Sequence, residues 1–189
     1  MQLAVRDRSL DFSSVVINAE RVRLQAISRK FTEEIYQNFT PKITEYMMPA
    51  PPAERAETAA FVDSALLGLS RRDDLHLVIC LHDDGEFLGI CGLYARGQPN
   101  EPELGIWLKN AAHGHGYGLE AITALKKWAD SQLEYQRLLF PVDRRNTPSR
   151  RIPEELGGRI IAEKKITSMS GTELDVVTFG IDRQAPSGT

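Results

Sequence analysis

The residues best able to do chemistry lie in one stretch, His113-Gly114-His115-Gly116-Tyr117-Gly118-Leu119-Glu120-Ala121. Three alternating glycines stand where a helix is predicted to begin. Glycine lets backbone N–H groups converge with no Cβ in the way. A helix start adds unpaired donors and the positive end of a dipole. Together they make a main-chain site for a phosphate or diphosphate; the plain alternative is a flexible loop that binds nothing. A P-loop is excluded, because no Lys-Ser or Lys-Thr closes the pattern. The dinucleotide fingerprint is a nearer rival. Gly116-x-Gly118-x-x-Ala121 has its spacing, and Asp143 ends the next strand, where a ribose-binding acid would lie. Against it, Lys109 to His113 separate the preceding strand from the first glycine, and too little chain follows Asp143 for a second βαβ half.

The elements that must position this loop are read from periodicity. Val22, Leu24 and Ala26 alternate with polar residues and predict a half-buried strand. Ser28 is a candidate cap for a helix to about Phe39, with Phe31 and Ile35 inward. Thr40-Pro41 starts a second helix that Pro49, Pro51 and Pro52 end near Met48. Ala53 to Arg72 predicts a longer helix with Phe61, Ala65, Leu66 and Leu69 as its apolar stripe. Leu75–Leu81 and Phe87–Tyr94 form a hairpin around Asp84-Gly85. Gly97 to Asn100 is a loop, and Glu103–Leu108 is the strand entering the glycine loop. A helix from Tyr117 to Gln132 turns Ile122, Leu125 and Trp128 inward. Leu138–Val142 is a strand, and a short helix closes at Gly157-Gly158. Arg159–Met169 and Glu173–Ile181 make a last hairpin around Ser170-Gly171. Hairpins around one central βαβ unit imply an α/β (α+β) fold whose sheet is of mixed direction.

Taken together, these stretches resemble the GCN5-related N-acetyltransferase (GNAT) superfamily, in particular the branch that includes ribosomal-protein N-terminal acetyltransferases. Glu20-Arg21-Val22-Arg23-Leu24 is similar to the family's opening strand, and Glu103-Leu104-Gly105-Ile106-Trp107-Leu108 to its central strand. His113 to Ala121 resembles its coenzyme A loop. Asn146-Thr147-Pro148-Ser149 and Leu156-Gly157-Gly158 resemble its Asn-x-x-Ser and Leu-Gly-Phe signals. The likeness covers residues 19–182, leaving 1–18 as a leader without assigned role and 183–189 as a tail. It implies a mixed, mostly antiparallel sheet of about seven strands with flanking helices. It implies acetyl-CoA as co-substrate, no metal, and direct attack of a primary amine, on a protein N-terminus or a small molecule, upon the thioester. His113 departs from the usual Arg or Gln, Gly158 from an aromatic residue, and Pro153 sits inside the expected last helix.

The resemblance assigns roles residue by residue. His113, Gly114, His115, Gly116, Tyr117, Gly118 and Leu119 hold the coenzyme's phosphates, and Trp107 and Leu108 offer main-chain groups to its pantetheine arm. Asn146 bonds that arm or is a turn residue. Ser149 donates to the leaving thiolate or caps a helix. Glu103 takes the proton from the amine or is a solvated strand end, with Glu101 as a substitute. Arg150 and Arg151 meet the 3′-phosphate or are an exposed basic pair. Phe39 to Pro52 and the last hairpin frame the acceptor, with Tyr46, Met47 and Met48 lining it or packed in the core. An α-amine (pKa about 7.7–8.0) needs less help than lysine (about 10.4) to attack as a neutral nucleophile.

Composition agrees with one domain: 189 residues, 42% hydrophobic and 26% charged, bury a core without metals or disulfides. A net charge of −3 and no basic stripe argue against nucleic acid as a partner. No apolar run reaches a membrane span. Cys80 and Cys91 lie in apolar runs, as in a reducing cytosol, and Met1 to Ser14 has no apolar signal core, so the expected location is cytoplasmic. A monomer or homodimer is expected. The alternatives to a transferase are a non-catalytic acyl-CoA binding module and a nicotinamide-dependent oxidoreductase built on Gly116 to Ala121.

Overall fold

The computed structural model describes residues 2–96 and 98–184. Gly97 of the predicted loop and 185–189 of the predicted tail lie outside them. Eight strands form one sheet in the order β1-β2-β3-β4-β5-β6-β8-β7. They are β1 (Val16–Asn18), β2 (Val22–Ala26), β3 (Asp74–Leu81), β4 (Phe87–Tyr94), β5 (Glu103–Leu108), β6 (Arg137–Asp143), β7 (Arg159–Thr167) and β8 (Glu173–Asp182). Every neighbouring pair is antiparallel except β5 with β6. That exception needs a long crossover, and β5 reaches β6 through the helix Tyr117–Gln132, which returns the chain to start the next strand in the same direction.

The eighth strand is β1, from the segment whose role the sequence left open. Val16 to Asn18 pair with Gln25 to Arg23, and Leu3, Phe12, Val15 and Ile17 are buried. An isolated bridge from Val5 to Leu133 ties the same segment to the far end of the βαβ helix. Three residues are too few to show alternation, which is why only the pairing partner reveals this strand.

Helices α1 (Thr32–Asn38), α2 (Pro41–Thr44) and α3 (Arg55–Arg71) precede the central hairpin; α4 (Tyr117–Gln132) and α5 (Thr147–Glu155) follow it. α4 covers one face of the sheet with Ala121, Ile122, Leu125 and Ala129, all fully buried, while Trp128 is half-buried against the core. α1 and α3 cover the opposite face. The inner stripe of α3 is Thr58, Val62, Ala65 and Leu69, and Phe61 is 40% exposed. The predicted stripe is therefore rotated by about one residue, because α3 carries apolar residues nearly all round and periodicity alone does not choose a face. α2 stops at Thr44, short of Met48. Thr44 Oγ1 bonds back to the Thr40 carbonyl at 3.3 Å, and turns carry the chain into the prolines. Neither Ser28 nor Thr40 makes a side-chain cap bond.

Candidate active site

The βαβ unit opens a crevice. β5 and β6 register at one position, Glu103 opposite Leu139, where Leu139 N–H donates to the Pro102 carbonyl at 2.9 Å. Beyond that root no ladder joins them, although each is fully paired on its other side. The cause is in the chain. Arg144 N–H donates to Asp175 on β8 at 2.8 Å. By strand alternation the even residues of β6 face β8 and the odd ones face β5. The next odd donor after Leu139 is Pro141, which has no N–H, so the parallel ladder stops. Pro141 was legible as a mid-strand proline; which neighbour it denies a bond was not.

The same alternation sorts β5. Lys109 N–H donates to the Leu88 carbonyl at 2.7 Å, so the main chain of Trp107 faces β4 and that of Ile106 and Leu108 faces the crevice. The expectation that Trp107 offers main-chain groups there is corrected, and Ile106 takes its place. The Trp107 ring instead packs on Phe39 at 4.9 Å and Phe87 at 5.9 Å. The Leu108 carbonyl is already taken, since His113 Nε2–H donates to it at 2.8 Å. That bond turns the His113 ring back on β5.

At the mouth of the crevice Gly114 and Gly116 both have positive φ, 81° and 80°, a backbone that disfavours side chains. His113 to Gly116 are exposed. The first amide of α4 to be taken is that of Glu120, by the Gly116 carbonyl at 3.1 Å. The N–H groups of residues 114–119 donate to no other described residue. Gly118 differs from the other two: it is buried and helical, and a Cβ there would meet Ile152, Leu108 and Ile106 methyls at 3.4–3.6 Å. It lets α4 sit close to β5 and α5.

Arg21, at the start of β2, reaches this loop from the other side. Its Nη1 donates to the His115 carbonyl at 3.0 Å, and its guanidinium lies 4.9 Å from the centre of the Tyr117 ring. Nε and Nη2 engage Glu120 Oε2 at 2.8 and 2.7 Å. Sequence reasoning read Arg21 only as part of the opening strand.

Across the crevice, the Asn146 side chain accepts from Ser149 N–H at 3.3 Å and caps α5. Ser149 is therefore not the cap, and its half-buried hydroxyl makes no hydrogen bond to a described residue. Pro153 neither shortens nor breaks α5, which runs to Glu155; its missing N–H leaves the Ser149 carbonyl without the usual i+4 partner. Arg150 turns inward to the Arg144 carbonyl and to Glu154. Asp143 is excluded as a ribose ligand. It is buried, bidentate to Arg145 at 2.8 Å, and also accepts from Asp175 N–H at 2.9 Å. The Arg145 bonds hold its carboxyl below the usual range.

Glu103 lies at the root, on the face opposite α4, in a row with Asp74 and Tyr94. Burial pushes its carboxyl above the usual range, against a weaker opposing pull from Arg96, whose Nε is 3.8 Å away. Glu101, the substitute, is paired with Arg137 at 3.0 Å. Met169 N–H donates to the Met48 carbonyl at 2.9 Å, so the segment after α2 is stitched to the tip of the last hairpin. Met48 and Met169 are exposed, and Tyr46 is half-buried beneath Arg145. Cys80 and Cys91 are free and buried, and burial pushes both thiols up, away from nucleophile chemistry.

Residues 21–159 match the family model of the acetyltransferase (GNAT) domain. The chain belongs to the GNAT acetyltransferase family. It is accordingly an acyltransferase. Among solved structures it is similar to a GCN5-related N-acetyltransferase from Brucella melitensis, at 20% identity and TM-score 0.76, covering 95% of this chain and 82% of that one. It is similar to RimL, a ribosomal alpha-N-protein acetyltransferase, in complex with coenzyme A, at 16% identity and TM-score 0.80, covering 91% and 100%. A ribosomal-protein-serine acetyltransferase structure from Vibrio cholerae gives 19% identity and TM-score 0.74, covering 90% and 98%. No curated protein matches the sequence significantly.

Within this GNAT domain the glycine loop and Leu108 lie at the mouth of the crevice, where Gly118 brings α4 against Leu108 of β5 and Ile152 of α5. Glu103 stands apart at the root, about 17 Å along β5 at the usual rise per strand residue. No helix among the described residues is long and apolar enough to cross a membrane.

Proposed function

We propose that this chain moves an acetyl group from acetyl-CoA to a primary amine, on a protein N-terminus or a small molecule, by direct attack. The observation that carries the reading is the run of uncommitted amides at residues 114–119, at the mouth of a crevice with no ladder beyond Leu139. Free N–H groups at a helix start suit a diphosphate, and the open main chain of Ile106, with the N–H of Leu108, suits an extended amide-bearing arm. The amine nitrogen attacks the thioester carbonyl, and the C–S bond breaks as the C–N bond forms. Glu103 takes the amine's proton, directly or through water; its raised pKa makes it a better base than an ordinary carboxylate. The uncommitted Ser149 hydroxyl donates to the departing thiolate. The buried, high-pKa cysteines support a route without an acyl-enzyme. RimL, whose fold this chain shares, is an alpha-N-protein acetyltransferase, and an α-amine needs the least help from a single carboxylate.

The test is calorimetric titration with coenzyme A, followed by acetyl transfer to a panel of peptides with free N-termini and of small amines. Saturable binding and acetylated product are expected. Binding without product on the whole panel would overturn the transferase reading, and no binding would overturn both parts.

A further inference from the structure

Resting on that reading, we infer that Arg21 is the cation that receives the donor's diphosphate, brought from β2 to the glycine loop in place of a charged residue in the loop itself. The loop's own first position is occupied by His113, whose ring is spent on the Leu108 carbonyl. The loop itself holds no arginine or lysine. Arg21 supplies that charge from outside. Its Nη1 donates to the His115 carbonyl, and its Nη2 lies 3.5 Å from where a Cβ on Gly116 would stand. The guanidinium rests over Tyr117, whose ring stacks on His115 at 5.4 Å. The charge is thus fixed against the exposed turn between the two positive-φ glycines.

The guanidinium has donors to spare. Of its five N–H groups, one on Nε and one on Nη2 go to Glu120, and one on Nη1 goes to His115. Two remain, and the side chain is 48% exposed. Two N–H groups in a planar fork match two phosphate oxygens.

Glu120 explains why the cation is needed. It is an acid in the first turn of α4, where a carboxylate competes with any anion for the same dipole end. Burial works to raise its pKa, but hydrogen bonds from Arg21 N–H, the guanidinium and Val22 N–H outweigh it and hold the group ionised. Arg21 cancels that charge. Without it, a bare carboxylate would face the diphosphate. Glu120 is in turn a positioning residue, since its two oxygens fix both the main chain and the plane of Arg21.

The test uses the full chain, coenzyme A as the titrant, and two acetyl donors that differ in the diphosphate: acetyl-CoA and acetylpantetheine. Arg21→Gln is expected to weaken coenzyme A binding about ten- to a hundred-fold, the worth of a charge-assisted pair, and to flatten its salt dependence. KM should rise for acetyl-CoA and stay level for acetylpantetheine. Arg21→Lys should recover part of the affinity, and keeps the test open if Arg21→Gln does not fold. Arg21→Gln with Glu120→Gln should bind coenzyme A better than Arg21→Gln alone. Unchanged affinity in folded Arg21→Gln and Arg21→Lys overturns the inference, as does an equal rise in KM for both donors, which marks a collapsed loop. If the wild-type chain binds no coenzyme A, the functional reading fails with it; if only the variants behave like wild type, this inference fails alone.

Discussion

Gly116 and Gly118 are two residues apart, yet alanine should destabilise the protein at the first and not at the second. At Gly116 φ is +80° and the nearest atom to a new Cβ is Arg21 Nη2 at 3.5 Å, an ordinary contact. The cost of Gly116→Ala is therefore backbone strain, ~1–2 kcal/mol for a left-handed non-glycine residue. A stiffer unfolded chain returns ~0.4–1 kcal/mol. The net loss is about 1 kcal/mol, or roughly 2–4 °C in Tm for a domain of this size. At Gly118 the backbone is helical, and the new methyl would meet Ile152 Cδ1 at 3.4 Å. Alanine there gains up to ~1 kcal/mol of helix propensity, so Tm should rise or hold. Differential scanning calorimetry of the two variants at one pH decides it. The same proteins titrated with coenzyme A should show the larger affinity loss at Gly116, because that residue must leave its conformation or strain the cradle. Shifts of the same sign and size would refute the assignment of a left-handed turn at 116 and a helical packing glycine at 118.

Glu103→Gln should slow transfer most below the acceptor amine's pKa, where a base is needed, with coenzyme affinity kept. Because the folded state raises this carboxyl's pKa, the native fold disfavours its charge; the glutamine variant should melt higher than wild type at neutral pH, and the gap should close as pH falls through the raised pKa toward the ordinary ~4.3. An equal gap at pH 4 and pH 8 would contradict the burial argument. Ser149→Ala should lower kcat more than coenzyme affinity and leave stability within about 0.5 kcal/mol of wild type, since the hydroxyl bonds to no described residue; a clear drop in Tm would show a structural role. Pro141→Val restores the N–H that the β5–β6 ladder lacks. One added bond is worth ~0.5–1.5 kcal/mol, so urea melts should show a more stable protein and calorimetry a weaker hold on coenzyme A. A more stable variant with undiminished binding would mean the crevice is kept open by something other than the proline.

Much of the site was legible in order along the chain. Strands Phe87–Tyr94 and Glu103–Leu108 and the helix Tyr117–Gln132 have the predicted bounds, because each carries its own signal: an apolar run between turn residues, or a 3.6-residue stripe after a glycine start. The alternating glycines declared a main-chain anion cradle for the same reason, since φ > 0 and an exposed helix start are local properties. The stripe of α3, the end of α2 and the cap of α5 were not legible. Each depended on which of several acceptable local arrangements the neighbouring layer rewards.

By itself, then, the chain determined where its elements lie, which loop presents free amides, and the family those features belong to. Only the tertiary structure decided that Val16 to Asn18 form an eighth strand, that Pro141 withholds its missing N–H from β5 and not from β8, that Trp107 turns its main chain to β4, and that Arg21 stands over the glycine loop ninety-odd residues away. The physical reason is common to all four. Strand partners and the direction of each backbone group are set by register between segments distant in sequence. A period-2 pattern names the faces of a strand but not its neighbours.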